Sequence, residues 1–191
     1  MNKFKSHIVK RLPRLIAALS VIALIAGIAP STQAIADNPP RKILTGWIPY
    51  YSIKTSLPAA INNADLIKEV MPFWYTLKFN SKTNSAVVTD LYTPANPSIP
   101  MAQTVGALRN AGFSLIPTIT DGTDKGVLAG LLAKPAARKQ IIETITAMVV
   151  SNNYDGVDLD FEGFAFVDGN ETWNKTAPLW TAFVKDLSTS L

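Results

Sequence analysis

The sequence predicts an α/β fold, a parallel sheet covered by helices, and three observations carry that prediction. From Asp37 to Leu191, four segments rich in β-branched and aromatic residues alternate with four segments of helical pattern. The strand segments are apolar along most of their length, as strands buried between helices are. Prolines and glycines punctuate the alternation where helices should begin and end.

The elements follow in order. Ile43–Tyr51 reads as the first strand and Pro58–Lys68 as the first helix. Val70–Lys78 is the second strand. Asn80–Pro97 is polar and turn-rich apart from Val87, Val88, Leu91 and Tyr92, so a long excursion with a small hairpin is expected there. Pro100–Ala111 follows as a helix, with Pro100 suited to its first turn and Gly112 to its C-terminal cap. Phe113–Thr120 is the third strand. Pro135–Ser151 is the most regular helix, because Ile141, Ile142, Ile145, Met148 and Val149 fall on one stripe while Arg138, Lys139 and Glu143 lie largely outside it. Asp155–Gly163 is the fourth strand, and a last helix covers about residues 175–190.

Residues 1–36 are set apart from this fold. Lys3, Lys5, Lys10, Arg11 and Arg14 precede an apolar stretch from Leu15 to Ala29, and Ala34-Ile35-Ala36 supplies small residues for cleavage, the three parts of a secretory signal peptide. The apolar stretch is shorter than the roughly 20 residues a spanning helix needs. Export with cleavage is therefore expected, an uncleaved anchor being the alternative, and residues 37–191 form the working part. Five of the 18 basic residues and none of the 14 acidic ones precede Asp37, so the net charge of +4 becomes −1 beyond it. The basic balance belongs to the signal, and no nucleic-acid partner is expected. A membrane would be met only through the export signal.

The chain has no cysteine, and its one histidine is His7. An exported protein without disulfides fits a secreted or cell-wall-associated bacterial protein. Beyond the signal no Ser-His-Asp or Cys-His mechanism and no His- or Cys-ligated zinc can be built. Carboxylates, tyrosines and lysines are the acid–base groups that remain.

Those carboxylates are concentrated in one run, Tyr154-Asp155-Gly156-Val157-Asp158-Leu159-Asp160-Phe161-Glu162-Gly163. On a strand, Asp158, Asp160 and Glu162 would share one face and Val157, Leu159 and Phe161 the other. Carboxyls about 6.5–7 Å apart raise one another's pKa where water is excluded, so one of the three should hold a proton and serve as a general acid. The run also imitates the start of a calcium loop. Its twelfth position would be Gly169 where a bidentate Glu is required, so no metal is expected, and no cofactor either.

Asp155 to Glu162 resembles the D-G-x-D-x-D-x-E signature of glycoside hydrolase family 18, the chitinase-like (β/α)8 barrels, with Phe161 where the commonest version has Trp. Gly46-Trp47-Ile48-Pro49-Tyr50-Tyr51 and Pro72-Phe73-Trp74-Tyr75 look like the first two strands of the branch with bacterial spore-cortex and cell-wall-associated members. Pro117-Thr118-Ile119-Thr120-Asp121-Gly122 stands where many chitinases have Ser-x-Gly-Gly. The resemblance implies an incomplete (β/α)8 TIM barrel of roughly four β/α units, since a complete barrel takes about 250 residues. Residues 37–191 are then a partial catalytic domain, a fragment of a longer protein or a truncated reading frame.

The resemblance further implies hydrolysis of β-1,4 bonds in N-acetylglucosamine-containing polymers, chitin or peptidoglycan, by substrate-assisted retaining catalysis. Glu162 would be the acid/base, Asp160 would orient the substrate's acetamido group, and Asp158 would share a proton with Asp160. Asp155 and Gly156 would be structural parts of the motif. Tyr50 and Tyr75, at the ends of the first two strands, are expected to line the substrate cleft, with Thr118 and Asp121 as weaker candidates. Two other readings stay open: a carbohydrate-binding, chitinase-like protein without turnover, and an inactive truncated fragment. Retention of Glu162 speaks against the first of these.

Overall fold

The computed structural model describes residues 43–191. The expected signal segment lies outside the described residues.

Among the described residues, six strands form one sheet. Strand β1 (Leu44–Pro49) pairs in parallel with β2 (Ile67–Asn80). On the other side of β2 lie β4 (Ser114–Leu115) and β5 (Thr118–Asp121), both parallel to it, and β6 (Asp158–Asp160) pairs in parallel with β5. The expected hairpin is present: β3 (Ser85–Asp90) runs antiparallel to the far end of β2, on the side that β1 has left. The parallel strands curl into part of a (β/α)8 barrel, and β1 and β6 are its two outer parallel strands.

Helices α1 (Ile53–Asn62), α2 (Tyr92–Ala95), α3 (Met101–Asn110), α4 (Val127–Leu132), α5 (Pro135–Ser151) and α6 (Trp173–Ser190) fill the connections. A single core cluster joins sheet residues Ile48, Val70, Trp74, Leu77 and Ile119 to helical Leu108, Leu128, Ile141, Ile145 and Phe183, all at most 2% exposed. The stripe expected on α5 is buried as a set.

Several boundaries differ from the sequence reading, each for a local reason. Helix α1 begins five residues earlier than expected and carries Pro58 inside it. Ile53, Leu57 and Ala60 repeat at helical spacing and pack on the core, which fixes the start, and a proline six residues in removes one hydrogen bond without ending the helix. The third strand is two pieces, β4 and β5, because Pro117 has no N–H to give the ladder; its carbonyl still accepts the amide of Asp158 at 2.9 Å. Gly112 has φ +85°, and the amides of Gly112 and Phe113 close α3 onto the carbonyls of Arg109 and Leu108, as expected of a C-terminal cap. Helix α4 was not foreseen. It follows Gly126, whose amide donates to the buried Asp168 carboxylate at 2.7 Å.

Candidate active site

The carboxylate run sits on β6 and in the turn that leaves it. Strand β6 is only three residues long, since Asp155 is spent on pairing with the neighbouring strand: its amide donates to the Leu115 carbonyl at 2.9 Å, and its Oδ2 accepts the Leu115 amide at 2.8 Å. Asp155 is thus engaged by the backbone of β4. Gly156 follows, with a Cβ position in ordinary contact range of Ile116.

Asp158 and Asp160 share the inner face of the curled sheet. Cross-strand register pairs Asp158 with Thr118 and Asp160 with Thr120, and Thr118 in turn with Phe73. Asp158 Oδ2 accepts two hydrogen bonds, from Thr118 Oγ1 at 2.8 Å and from Trp47 Nε1 at 3.2 Å. The second reaches from β1 to β6, across the two strand positions between them.

Glu162 departs from the expected stack. It lies two residues past β6 with helical backbone angles (φ −91°, ψ −17°), is exposed, and its carbonyl accepts the amides of Ala165 and Phe166 to open a wide turn at Gly163–Val167. Strand alternation ends before it, just past Phe161, which packs in an aromatic cluster with Trp180 and Phe183 of α6 at ring separations of 5.8 and 6.2 Å. Glu162 nonetheless stays close enough to act on Asp160. Burial first, then the charges of Glu162 and Asp158, hold the Asp160 carboxyl above the ordinary aspartate range. The coupling anticipated from the sequence is thus centred on Asp160.

A stability consequence follows. The folded chain holds the Asp160 proton more tightly than the unfolded chain does, so this group lowers stability as pH rises from the ordinary aspartate range through its raised titration, and the loss persists at neutral pH. Asp160→Asn should therefore shift the urea midpoint upward at about pH 7, with the difference from the parent closing at about pH 3, where Asp160 is protonated in both states. An unchanged or lower midpoint at neutral pH would contradict this electrostatic account.

Tyr75 is not a cleft residue. A bulge in β2 leaves Trp74 as the extra residue between Phe73, paired with Thr118, and Tyr75, paired with Ile119. Both Trp74 and Tyr75 consequently face the helices, and only Phe73 stays on the inner face. Tyr75 is 6% exposed; its hydroxyl hydrogen-bonds that of Tyr154 at 2.8 Å, and burial holds it well above the usual tyrosine range. Tyr50 sits in a short turn after β1 (Tyr50–Ser52), half-buried against the core edge, with its carbonyl accepting Asn96 Nδ2 at 2.9 Å. It occupies the rim where the chain leaves the strand.

Three contributors were poorly marked in the sequence. Thr118 is wholly buried with its hydroxyl committed to Asp158. Trp47, 58% exposed, braces its ring edge-on against Phe73 at 5.8 Å. Asp121, at the end of β5, accepts the amide and hydroxyl of Thr123 on Oδ1, while its Oδ2 occupies the space that a Cβ on Gly163 would need. The glycine after Glu162 therefore lets the third strand's carboxylate pack directly against the turn that carries the candidate acid.

No protein-family model and no curated protein matches the sequence. Solved structures do match in fold. The chain is similar to the C-terminal domain of a chitinase candidate from Desulfitobacterium hafniense DCB-2 at 23% identity and a TM-score of 0.54, over 78% of this chain. It is similar to a chitinase from Bacteroides thetaiotaomicron at 16% identity and 0.53, over 76%, and to one from Chromobacterium violaceum ATCC 12472 at 13% identity and 0.51, over 77%. In each case it spans 42% of the solved chain. The likeness shows the fold, a partial (β/α)8 barrel.

Proposed function

We propose that the chain is part of a family 18 glycoside hydrolase catalytic domain that cleaves β-1,4 bonds in N-acetylglucosamine polymers. The observation that supports this most is the placement of Asp160. It lies at the C-terminal end of a barrel strand, where barrel chemistry is done, with its carboxyl held high between Asp158 and Glu162. The exposed carboxyl of Glu162 gives its proton to the glycosidic oxygen as the bond to the anomeric carbon breaks. The sugar's own acetamido oxygen attacks that carbon, and Asp160 orients the acetamido N–H and offsets the positive charge of the oxazolinium that forms. Glu162, now ionised, takes a proton from the water that opens this intermediate, so no enzymic nucleophile is needed.

Coverage of 42% of the similar structures favours turnover only when the remaining barrel strands complete the cleft. Chitin and the glycan strands of peptidoglycan are both substrates of the required chemistry. Secretion or cell-wall attachment would bring the enzyme to either.

The test is dependence on the acetamido group. In the protein that carries the whole barrel, a thiazoline mimic of the cyclic intermediate should inhibit competitively, and glucan oligomers lacking the acetamido group should not be cleaved. Comparable turnover of cellulose and chitin fragments would replace this mechanism with a two-carboxylate one and another nucleophile.

A further inference from the structure

We infer that Asp168 is a positioning residue for Glu162, its carboxylate tying the turn that carries the candidate acid to the loop that leaves the neighbouring strand β5. Asp168 is 7% exposed, and its Oδ1 accepts the Gly126 amide at 2.7 Å across 42 residues of sequence. Carboxylate–amide bonds of this kind are among the stronger ones. Its own amide donates to the Gly163 carbonyl at 3.1 Å, which closes the wide turn that the Glu162 carbonyl opens. Asp168 is therefore both the end of the turn and its anchor.

A second aspartate holds the other end. Asp121, at the end of β5, is fixed through Oδ1 by the amide and hydroxyl of Thr123, and its Oδ2 lies against Gly163 in the space a Cβ would need. Between these two contacts the loops stand apart around a cavity of about 90 Å³ whose lining includes Asp124, Lys125 and Val167, so the contacts at the two ends fix their separation. The turn's ties on its other side run to α6, the helix of its own unit: Phe164 packs on Trp180 with ring centroids 5.3 Å apart, and Trp173 Nε1 donates to the Ala165 carbonyl at 2.8 Å. Asp121 and Asp168 are the side chains that reference it to β5.

The clamp stands on these contacts alone, and its catalytic consequence rests on the hydrolase reading. Glu162 is exposed and its side chain accepts no hydrogen bond among the described residues, so its carboxyl is placed by the backbone that bears it. A misplacement of about 1 Å at a reacting group can cost roughly a hundredfold in rate. Asp168 touches no reacting atom in this scheme and acts through the turn.

In the full chain, amide exchange followed by ¹⁵N NMR should show the Gly126 amide exchanging at least about tenfold faster in Asp168→Ala than in the parent. The Asp155 amide, bonded to the Leu115 carbonyl within the sheet, should keep its protection. Asp168→Asn retains an oxygen acceptor of the same shape and should hold the Gly126 amide within about threefold of the parent. In the whole barrel, Asp168→Ala should lower kcat roughly ten- to a hundredfold with KM changed by less than about twofold, and Asp168→Asn should recover most of the loss, a split that a general loss of stability does not give. Gly163→Ala leaves the Asp168 bond in place and presses on Asp121 instead. It should lower kcat in the same way, and it takes over the kinetic test if Asp168→Ala does not fold. Unchanged exchange at Gly126 in Asp168→Ala, a kcat within about twofold of the parent in the variant that serves the test, or a loss that Asp168→Asn does not relieve would each overturn the assignment. Should the parent turn over no acetamido sugar, the hydrolase reading fails and exchange at Gly126 alone decides the clamp.

Discussion

Replacing Glu162 by Gln should abolish hydrolysis of N-acetylglucosamine oligomers while leaving their binding largely intact. Gln keeps the volume and the hydrogen-bonding outline of the protonated acid but has no proton to give the leaving oxygen. Positioned acid catalysis contributes roughly 10²–10⁴-fold, so kcat should fall by at least about a hundredfold. The structure makes the variant a clean one: Glu162 is exposed and its side chain accepts no hydrogen bond among the described residues, so the substitution should leave the fold's stability within about 0.5 kcal/mol of the parent. Kinetics on a fluorogenic oligomer with parallel calorimetric binding to the intact oligomer separates the two effects. A variant that keeps more than about a tenth of the parent's kcat would remove Glu162 from the acid's role.

The position of that acid also marks how far the sequence could be read. Strand alternation placed Asp158 and Asp160 on one inner face and Phe161 against the helices, because a parallel strand between layers must send alternate side chains to opposite sides. The same rule failed two residues later. Glu162 left the strand because the wide turn at Gly163–Val167 begins there, its carbonyl taking the amides of Ala165 and Phe166, a turn that the alternation pattern does not record. It failed again at Tyr75, where one bulge residue reversed the parity on which the cleft expectation rested. Helix α5 was legible to the residue, since its proline start and apolar stripe are both local signals. Helix α1 was not, because Pro58 gave a misleading start signal that the packing of Ile53 overrode. The hydrogen bond from Trp47 to Asp158 joins residues 111 apart in the sequence, and the curl of the sheet brings them together.

Trp74 sits at the bulge, and its removal should have the largest effect on stability of any substitution considered. The side chain is 0% exposed, its Nε1–H donates to the Ile48 carbonyl of β1 at 2.9 Å, and its ring packs 4.5 Å from that of Tyr92. Tyr92 is equally buried and carries the contact onward, its hydroxyl lying 2.6 Å from Thr104 Oγ1 of α3. One indole therefore ties β1 to β2 and both to the excursion that follows the hairpin. Trp74→Ala empties that space and should cost about 3–5 kcal/mol in urea unfolding. Trp74→Phe keeps most of the ring and forfeits the hydrogen bond to a buried carbonyl, for which about 1–3 kcal/mol is expected. The two losses separate packing from hydrogen bonding at a single site. If Trp74→Ala instead lowered stability by less than about 1 kcal/mol, the bulge would not be anchored as described, and the assignment of Tyr75 to the helical side would fall with it.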